Sequence, residues 1–182
     1  MGRHVITLDA ENFAITCDQL QTQIVASGFV PDIVVGIRTG GAYVADNVFP
    51  DTPHTYTLLQ RLSTRRKTNH CGRLLRSLPR FLADFLRIAE SFLLSLRRPK
   101  PIAADVVDVP DLSGRRSILI VDDAVDSGVT LDAVYRAVAA AYPEADVRTA
   151  TITVTTRSPL KMPDVYLYND YTLIRFPWSL DA

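Results

Sequence analysis

Apolar and polar residues follow two different periods along the first third of the chain. Four apolar residues between positions 9 and 28 recur every three or four residues, which is the period of an amphipathic helix. They are Phe13, Cys17, Leu20 and Ile24. Gly28 stands where this helix would stop, and a β-branched run over 33–37 then precedes a Gly-Gly pair and a helical stretch over 42–48. The pattern predicts a helix, a buried strand, a glycine turn and a second helix.

The rest of the chain continues this alternation. Residues 78–96 form an apolar helical stripe that is wider than one face, which fits a helix buried on two sides or covered by a second subunit. The other predicted elements are strands over 55–60, 117–121 and 146–154 and a helix over 131–142. We therefore predict an α/β fold in which helices flank a largely parallel central sheet. In such sheets, ligands bind beyond the carboxyl ends of the strands.

The composition is typical of one soluble globular domain. The chain has 182 residues, of which 47% are apolar and 22% are charged, with 20 basic and 20 acidic side chains. Cys17 and Cys71 show no metal-ligand or redox spacing, and we expect neither to have a role. The first residues lack the apolar core of a signal peptide, and no long uncharged apolar run occurs. A cytoplasmic protein without membrane contact is expected.

The neutral charge balance hides a basic segment. Residues 61–100 hold 11 Lys and Arg against two Asp and Glu, so we expect an anionic partner there. Nucleic acid, an acidic protein surface and a phosphorylated small molecule all fit this charge. Residues 61–80 contain no Phe, Tyr or Trp on which an RNA base could stack, which argues against sequence-specific RNA binding.

The strongest chemical signal is the stretch over 118–131, which reads ILIVDDAVDSGVTL. Its apolar strand leads to Asp122 and Asp123, whose carboxylates suit the vicinal hydroxyls of a ribose or an outer position around Mg²⁺. The hydroxyl and amide groups that follow, at the start of the next helix, suit a phosphate. They belong to Ser127, Gly128, Val129 and Thr130. The alternative is a capped helix after a simple turn, but capping needs only one such residue. Sugar hydroxyls beside a phosphate indicate a phosphoribosyl group.

The same stretch resembles the fingerprint of the type I phosphoribosyltransferase family. That fingerprint is an apolar strand, two acidic residues, a short spacer, Ser or Thr before Gly, and a Thr. It is matched here by Asp122, Asp123, Asp126, Ser127, Gly128 and Thr130. Residues 36–41, GIRTGG, look like the pyrophosphate loop of the family, and residues 111–115 fit ahead of the motif. The implied fold is a largely parallel sheet with a small C-terminal hood, here carrying a helical insert.

The resemblance implies that the protein binds phosphoribosyl pyrophosphate (PRPP) together with Mg²⁺. Arg38 and the backbone amides of Thr39, Gly40 and Gly41 would meet the pyrophosphate, and the Arg38–Thr39 peptide bond is a candidate for cis geometry. The acidic pair, defined as Asp122 and Asp123, would hold the ribose and meet the metal indirectly, through PRPP.

A basic loop is a candidate for closing over the site. It carries Arg65, Arg66 and Lys67, and its closure would exclude water from the reaction. A solvated basic face explains these residues equally well.

Asp126 indicates which base would be used. In the reaction that the resemblance implies, a ring nitrogen of the base displaces pyrophosphate from C1 of PRPP. Members that use 6-oxopurines carry a carboxylate at this place, where it would accept or donate the proton of the purine ring nitrogen. A turn-stabilising Asp is the alternative. The resemblance favours a purine salvage transferase for hypoxanthine, guanine or xanthine, with Asp126 and Arg38 as catalytic residues.

The C-terminal residues resemble the hood of bacterial xanthine-guanine and archaeal-type purine phosphoribosyltransferases. We therefore predict a PRPP-binding core over 1–154, with the insert at about 61–101, and a hood over 155–182. Two positions depart from the family pattern. Leu173 stands in place of a base-stacking aromatic, for which Tyr171 or Trp178 would substitute. Arg157 is the one donor that could replace the lysine that reads the 6-oxo group. These four residues are the base-binding candidates.

Two other functions stay open. A regulator of the same fold would bind RNA or a nucleotide, with nucleic acid the less favoured ligand. A transferase with an unusual acceptor would account for the insert and for the two departures. The apolar residues 78–98 suit an interface, so a homodimer is also expected.

Overall fold

The computed structural model describes residues 4–61, 105–169 and 172–179. The predicted helix over 78–96 and almost all of the insert lie outside these ranges. The same is true of Arg65, Arg66, Lys67 and Tyr171. The expected homodimer, the loop closure and any contact of Tyr171 with a base therefore stay predictions.

Three helices occur in the described residues: α1 (Ala10–Ala26), α2 (Gly40–Val48) and α3 (Val129–Ala141). The predicted amphipathic first helix is confirmed, because the apolar residues that defined it are buried along one face of α1. The Asp9 side chain caps this helix by accepting from the Asn12 N–H at 2.8 Å. Gly28, just beyond its end, has a φ of 81°. Within the described ranges, no helix is long and apolar enough to cross a membrane.

Five parallel strands form the central sheet, which confirms the predicted fold class. Their order is β3-β2-β6-β7-β8, and every neighbouring pair is parallel. Two smaller sheets pair β1 with β9 in parallel and β4 with β5 in antiparallel orientation. The strands are β1 (His4–Thr7), β2 (Ile33–Ile37), β3 (His54–Thr57), β4 (Leu59–Arg61), β5 (Asp105–Val107), β6 (Ser117–Val125), β7 (Asp146–Val154), β8 (Val165–Asn169) and β9 (Thr172–Arg175).

Helices cover both faces of the central sheet. On one face, α1 and α2 pack through Leu20, Ile24 and Val44 against sheet residues that include Leu119. On the other face, α3 packs through Val134 and its neighbours against the opposite side of the same strands. The central strands β2 and β6 are apolar on both faces, as parallel strands between two helical layers must be.

Two elements differ from their predicted bounds. The single strand predicted over 55–60 is broken at Leu58, because the backbone leaves the central sheet there and β4 pairs with β5 instead. The strand predicted to end before the acidic pair continues through it to Val125. This extension is supported by β7, whose residues pair with β6 from Ser117 to Val125.

The segment predicted as the hood contributes strands to two sheets. β8 extends the central sheet beside β7, while β9 pairs with the N-terminal strand β1, with Leu173 opposite Val5. The division of the chain at residue 154 stays a prediction.

We expect Leu20→Ala to lower the free energy of unfolding by about 2–5 kcal/mol, because it leaves a cavity where α1 meets the sheet. The matched control is Ile15→Ala on the opposite face of α1, where the side chain is 49% exposed. Its effect should stay within about 0.5 kcal/mol. Urea denaturation measures both, and equal losses in the two variants would contradict the described packing of α1.

Candidate active site at the carboxyl edge of the sheet

The segments that follow β2 and β6 meet at the carboxyl edge of the central sheet. From β2 the chain continues to β3 on one side, whereas β6, β7 and β8 follow on the other side. The strand order therefore reverses between β2 and β6, and such a reversal opens a crevice where parallel sheets bind ligands. The two segments predicted to bind PRPP, residues 38–41 and 126–130, begin at this crevice.

Two glycines let the start of α2 lie directly against β6. A Cβ on Gly41 would come within 2.5 Å of the Val121 carbonyl oxygen and 3.0 Å of the Asp122 Cα. A Cβ on Gly40 would collide with the Asp123 carboxylate. The Gly-Gly pair is therefore required for the acidic pair and the first turn of α2 to occupy neighbouring positions.

Arg38 is held beside the crevice by β3. The Arg38–Thr39 peptide bond is cis, as the family resemblance suggested. The Arg38 N–H donates to the Thr57 carbonyl at 2.9 Å, and its guanidinium lies 5.3 Å from the centroid of the Tyr56 ring. The Tyr56 hydroxyl donates to Asp46 at 2.5 Å, and this hydrogen bond raises the pKa of Tyr56. The Tyr56 ring that packs against the Arg38 guanidinium is thus held in place by Asp46.

The acidic pair is half-buried at the end of β6. Burial raises the pKa of Asp122 well above its ordinary value, and the neighbouring Asp123 charge raises it further. Burial also raises the pKa of Asp123, although the neighbouring Asp122 side chain, the Ala124 N–H that donates at 2.8 Å and the nearby Trp178 side chain lower it in part. The Asp123 N–H donates to Asp122 Oδ1 at 3.0 Å. The pair is therefore an anionic centre that a proton, a hydrogen-bond donor or a cation stabilises.

The predicted phosphate segment starts α3. Gly128 is the N-cap residue with a φ of 73°, and it is buried against the backbone nitrogens of Leu160 and Lys161. The Ser127 carbonyl accepts from the Leu160 N–H at 2.8 Å, which ties this turn to the segment after β7. The Val129 N–H donates to Ser127 Oγ at 3.5 Å. Because glycine has no side chain to cap the helix, the N–H groups that follow in the first turn of α3 are suited to an anion.

Asp126 is exposed at the crevice, and the segment after β7 orients it. The Thr155 hydroxyl donates to Asp126 Oδ1 at 2.9 Å, and the Thr155 N–H donates to the Val125 carbonyl at 2.9 Å. Sequence reasoning did not single out Thr155. The available signal was its place directly after β7, which brings a hydroxyl to the same edge as the end of β6.

The C-terminal segment brings Trp178 to the acidic pair. The indole is stacked on Tyr43 at 4.3 Å and on Phe176 at 5.0 Å, with interplanar angles of 14° and 10°. Phe13 meets it edge-on at 4.9 Å. The Trp178 side chain lies close enough to Asp123 to lower the pKa of that carboxyl.

The other base-binding candidates occupy two further elements. Leu173 lies on β9 and is 42% exposed, while Arg157 is exposed in the segment between β7 and β8. A role for them in binding a base stays a prediction, as it does for Trp178.

We expect Asp122→Asn to stabilise the fold at neutral pH. The raised pKa of Asp122 means that, above its ordinary value of about 3.9, the folded state holds more protons than the unfolded chain. Wild-type stability therefore falls as pH rises through that window. Asn carries no charge, and its oxygen still accepts from the Asp123 N–H.

Guanidinium unfolding between pH 4 and pH 8 tests this expectation. The stability advantage of Asp122→Asn should grow with pH, whereas the control Asp51→Asn, at an exposed position, should show no such trend. An Asp122→Asn protein that is less stable than the wild type at pH 8 would contradict the described burial.

Comparison with known proteins identifies the family. The model of the phosphoribosyl transferase domain matches residues 6–181. No curated protein matches the chain.

Solved structures with the same fold include three that align with nearly the whole chain. The Helicobacter pylori xanthine-guanine-hypoxanthine phosphoribosyltransferase has a TM-score of 0.67 at 18% identity, covering 98% of this chain and 95% of its own. The Pyrococcus horikoshii purine phosphoribosyltransferase has a TM-score of 0.59 at 20% identity, and the alignment covers 96% of this chain and 94% of that protein. A hypothetical protein from Neisseria gonorrhoeae with bound ppGpp has a TM-score of 0.62 at 16% identity, and the alignment covers 100% of this chain and 93% of that protein.

The resemblance that rested on residues 36–41 and 118–131 is confirmed at the level of family and fold. The family model spans almost all of the chain, and the parallel sheet brings both segments to one edge. The chain belongs to the phosphoribosyltransferase family and is a PRPP-dependent phosphoribosyltransferase with the type I fold.

Proposed function

We propose that this enzyme transfers the 5-phosphoribosyl group of PRPP to a 6-oxopurine, namely hypoxanthine, guanine or xanthine, and releases pyrophosphate. The observation that carries the choice of base is the exposed carboxylate of Asp126, which Thr155 orients at the crevice next to the acidic pair. A purine acceptor is also in keeping with the names of the structural neighbours from Helicobacter pylori and Pyrococcus horikoshii.

PRPP would lie across the carboxyl edge between β2 and β6. Asp122 and Asp123 would accept from the ribose hydroxyls, which supply the donors that a half-buried carboxylate pair needs. The 5-phosphate would sit on residues 127–130 at the start of α3, with the Ser127 and Thr130 hydroxyls and the first N–H groups of the helix as donors. Arg38 and the amides of residues 39–41 would meet the pyrophosphate.

The acidic pair fits a Mg²⁺ ion that arrives with PRPP. Its two carboxylates are hard oxygen donors, and their raised pKa values show an anionic centre that a cation would stabilise. Two carboxylates provide fewer oxygens than Mg²⁺ takes, so we assign the remaining ones to PRPP and water. When bound, the metal would supply positive charge that offsets the charge of the leaving pyrophosphate.

The proposed reaction breaks the bond between C1 of the ribose and the pyrophosphate oxygen and forms a bond from C1 to a purine ring nitrogen. Asp126 would accept the proton that this nitrogen loses, which requires the carboxylate to lie within hydrogen-bond reach of the purine. Arg38, held over Tyr56, would stabilise the negative charge that the departing pyrophosphate gains. The acidic pair would keep the ribose fixed while C1 becomes oxocarbenium-like.

We assign binding of the base to the C-terminal segment and closure of the site to the insert. Arg157 would read the 6-oxo group, and Leu173 would cover the base with an aliphatic surface, with Tyr171 as a further candidate. Arg65, Arg66 and Lys67 would close over PRPP from the basic loop.

The proposal is tested by pyrophosphate release from PRPP and Mg²⁺ with hypoxanthine, guanine, xanthine, adenine, uracil and orotate. We expect release with at least one of the three 6-oxopurines and none with adenine, uracil or orotate. Turnover restricted to adenine, uracil or orotate would disprove the choice of base while leaving the family unaffected.

We expect Asp126→Asn to reduce kcat for the best 6-oxopurine by about 10²–10⁴-fold, because an amide cannot accept the purine proton. The affinity for PRPP should change much less, because the acidic pair and residues 127–130 remain. The control is Asp146→Asn at the amino end of β7, where the exposed carboxylate pairs with Arg148. An Asp126→Asn enzyme with wild-type kcat would remove Asp126 from the mechanism.

A second candidate is a regulator that binds a guanine nucleotide at the same crevice. It is favoured by the ppGpp bound to the Neisseria gonorrhoeae protein, since ppGpp carries pyrophosphate groups that residues 38–41 would suit. Binding of ppGpp without turnover of any base in the panel would support this candidate over the transferase reaction.

A further inference from the structure

Arg38 and the first turn of α2 are the two halves of the proposed pyrophosphate site. The amides of residues 39–41 belong to the start of α2, which fixes their direction. The Arg38 side chain is long and exposed, and no helix or strand determines where it points. Its guanidinium therefore needs a separate support if it is to meet the same anion as the amides.

Tyr56 on β3 supplies that support. The Arg38 guanidinium carbon lies 5.3 Å from the centroid of the Tyr56 ring, within the range of a cation–π contact. The ring is half-buried and packs against the apolar core on the α1 and α2 side of the sheet. Arg38 also donates its backbone N–H to the carbonyl of Thr57, the next residue of β3, at 2.9 Å. The backbone and the side-chain end of Arg38 are thus both held against one strand.

The Tyr56 hydroxyl connects the ring to α2. It donates to Asp46 Oδ1 at 2.5 Å, and His54 Nε2 lies 3.4 Å from the same oxygen. Asp46 lies on the helix whose first turn carries the amides. A hydrogen bond to a carboxylate is among the stronger ones and fixes the orientation of both partners. This bond therefore ties the ring beside Arg38 to the helix that begins at Gly40, so that the two halves of the site keep a constant spacing.

The Tyr56 ring holds the guanidinium without neutralising its charge. In the part of the chain that the structure describes, ion pairs are formed by His54, Arg136 and Arg148 rather than by Arg38. An aromatic face attracts a cation through its quadrupole and leaves the full charge in place, whereas a carboxylate would offset it. The positive charge of Arg38 thus stays available to an anion such as pyrophosphate.

We propose that Tyr56 is a positioning residue, whose ring, held by Asp46, keeps the Arg38 guanidinium where it meets the pyrophosphate of PRPP. The inference rests on the proposed role of Arg38. The contribution of Tyr56 is then confined to the pyrophosphate end of the substrate, because the acidic pair and residues 127–130 would bind the ribose and the 5-phosphate. A core tyrosine without this role would affect all parts of PRPP alike.

The decisive variant is Tyr56→Leu, which removes the aromatic face but keeps an apolar side chain against the core. Dissociation constants of PRPP and of pyrophosphate, measured with Mg²⁺ by calorimetry, should rise about 5–30-fold, the range expected for a partly desolvated cation–π contact. Ribose 5-phosphate lacks the pyrophosphate, so its dissociation constant should stay within about twofold of the wild type, below the loss of such a contact. An equal loss for PRPP and ribose 5-phosphate would overturn the role of Tyr56.

Tyr142→Leu is the matched control for lost stability. Tyr142 is also half-buried against the core, and its hydroxyl donates to the Pro110 carbonyl at 3.0 Å, but it lies at the other end of α3 from the crevice. Its replacement should leave PRPP affinity within about twofold of the wild type, because no cation–π contact at the site is lost. A loss as large as that of Tyr56→Leu would overturn the proposal.

Asp46→Ala tests the same support without changing the ring. Asp46 is exposed, so this variant is expected to fold. Its dissociation constant for PRPP should rise about 2–10-fold, since the ring loses one hydrogen bond. The control Asp51→Ala, at another exposed position, should bind PRPP like the wild type. If Tyr56→Leu fails to fold, Asp46→Ala decides, and wild-type PRPP affinity in that variant would overturn the proposal.

A double-mutant cycle with Arg38→Met separates the inference from the proposed function. In that background, Tyr56→Leu should cause no further loss of PRPP affinity, because no guanidinium remains to be positioned. An undiminished loss there would overturn the role of Tyr56 and leave that of Arg38 intact. Wild-type PRPP affinity in Arg38→Met alone would instead remove Arg38 from the proposed pyrophosphate site, and the role of Tyr56 with it.

Discussion

The partial burial of two adjacent carboxylates at the end of β6 is the constraint around which the crevice is arranged. Withdrawing Asp122 and Asp123 from water is unfavourable for both charges, so their surroundings must supply hydrogen-bond donors or leave room for a cation. Glycines at the start of α2 leave room on one side. The Ala124 N–H donates to the Asp123 carboxylate from the next residue along β6. The protein alone supplies only some of the hydrogen-bond donors that the two carboxylates need. A ligand that brings hydroxyl groups and a divalent metal would supply the rest.

The central sheet and the two loops of the crevice could be predicted from the sequence because each depends on contiguous residues. The stretches over 36–41 and 118–131 carry both their strands and their polar groups within a few positions. The bounds of β6 were missed for a physical reason. Charged residues usually end a buried strand, but pairing with β7 carries β6 through Asp122 and on to Val125.

What the sequence could not provide are contacts between residues far apart along the chain. Thr155 reaches Asp126 because β6 and β7 are neighbours in register, and no local pattern marks that hydroxyl. Trp178 stacks on Tyr43 because the C-terminal segment packs on α1 and α2. The short strands β1 and β9 gave too few residues for a period to be read, and their pairing became evident only from the fold.

The pairing of β1 with β9 also has a consequence for the order of folding. His4 lies opposite Thr172, so this small sheet closes one of the longest loops in the chain, and contacts of such separation form slowly. Trp178 lies shortly after β9, so its packing against Phe13 and Tyr43 belongs to the same late step. The central sheet can thus be assembled before the C-terminal segment packs on α1 and α2.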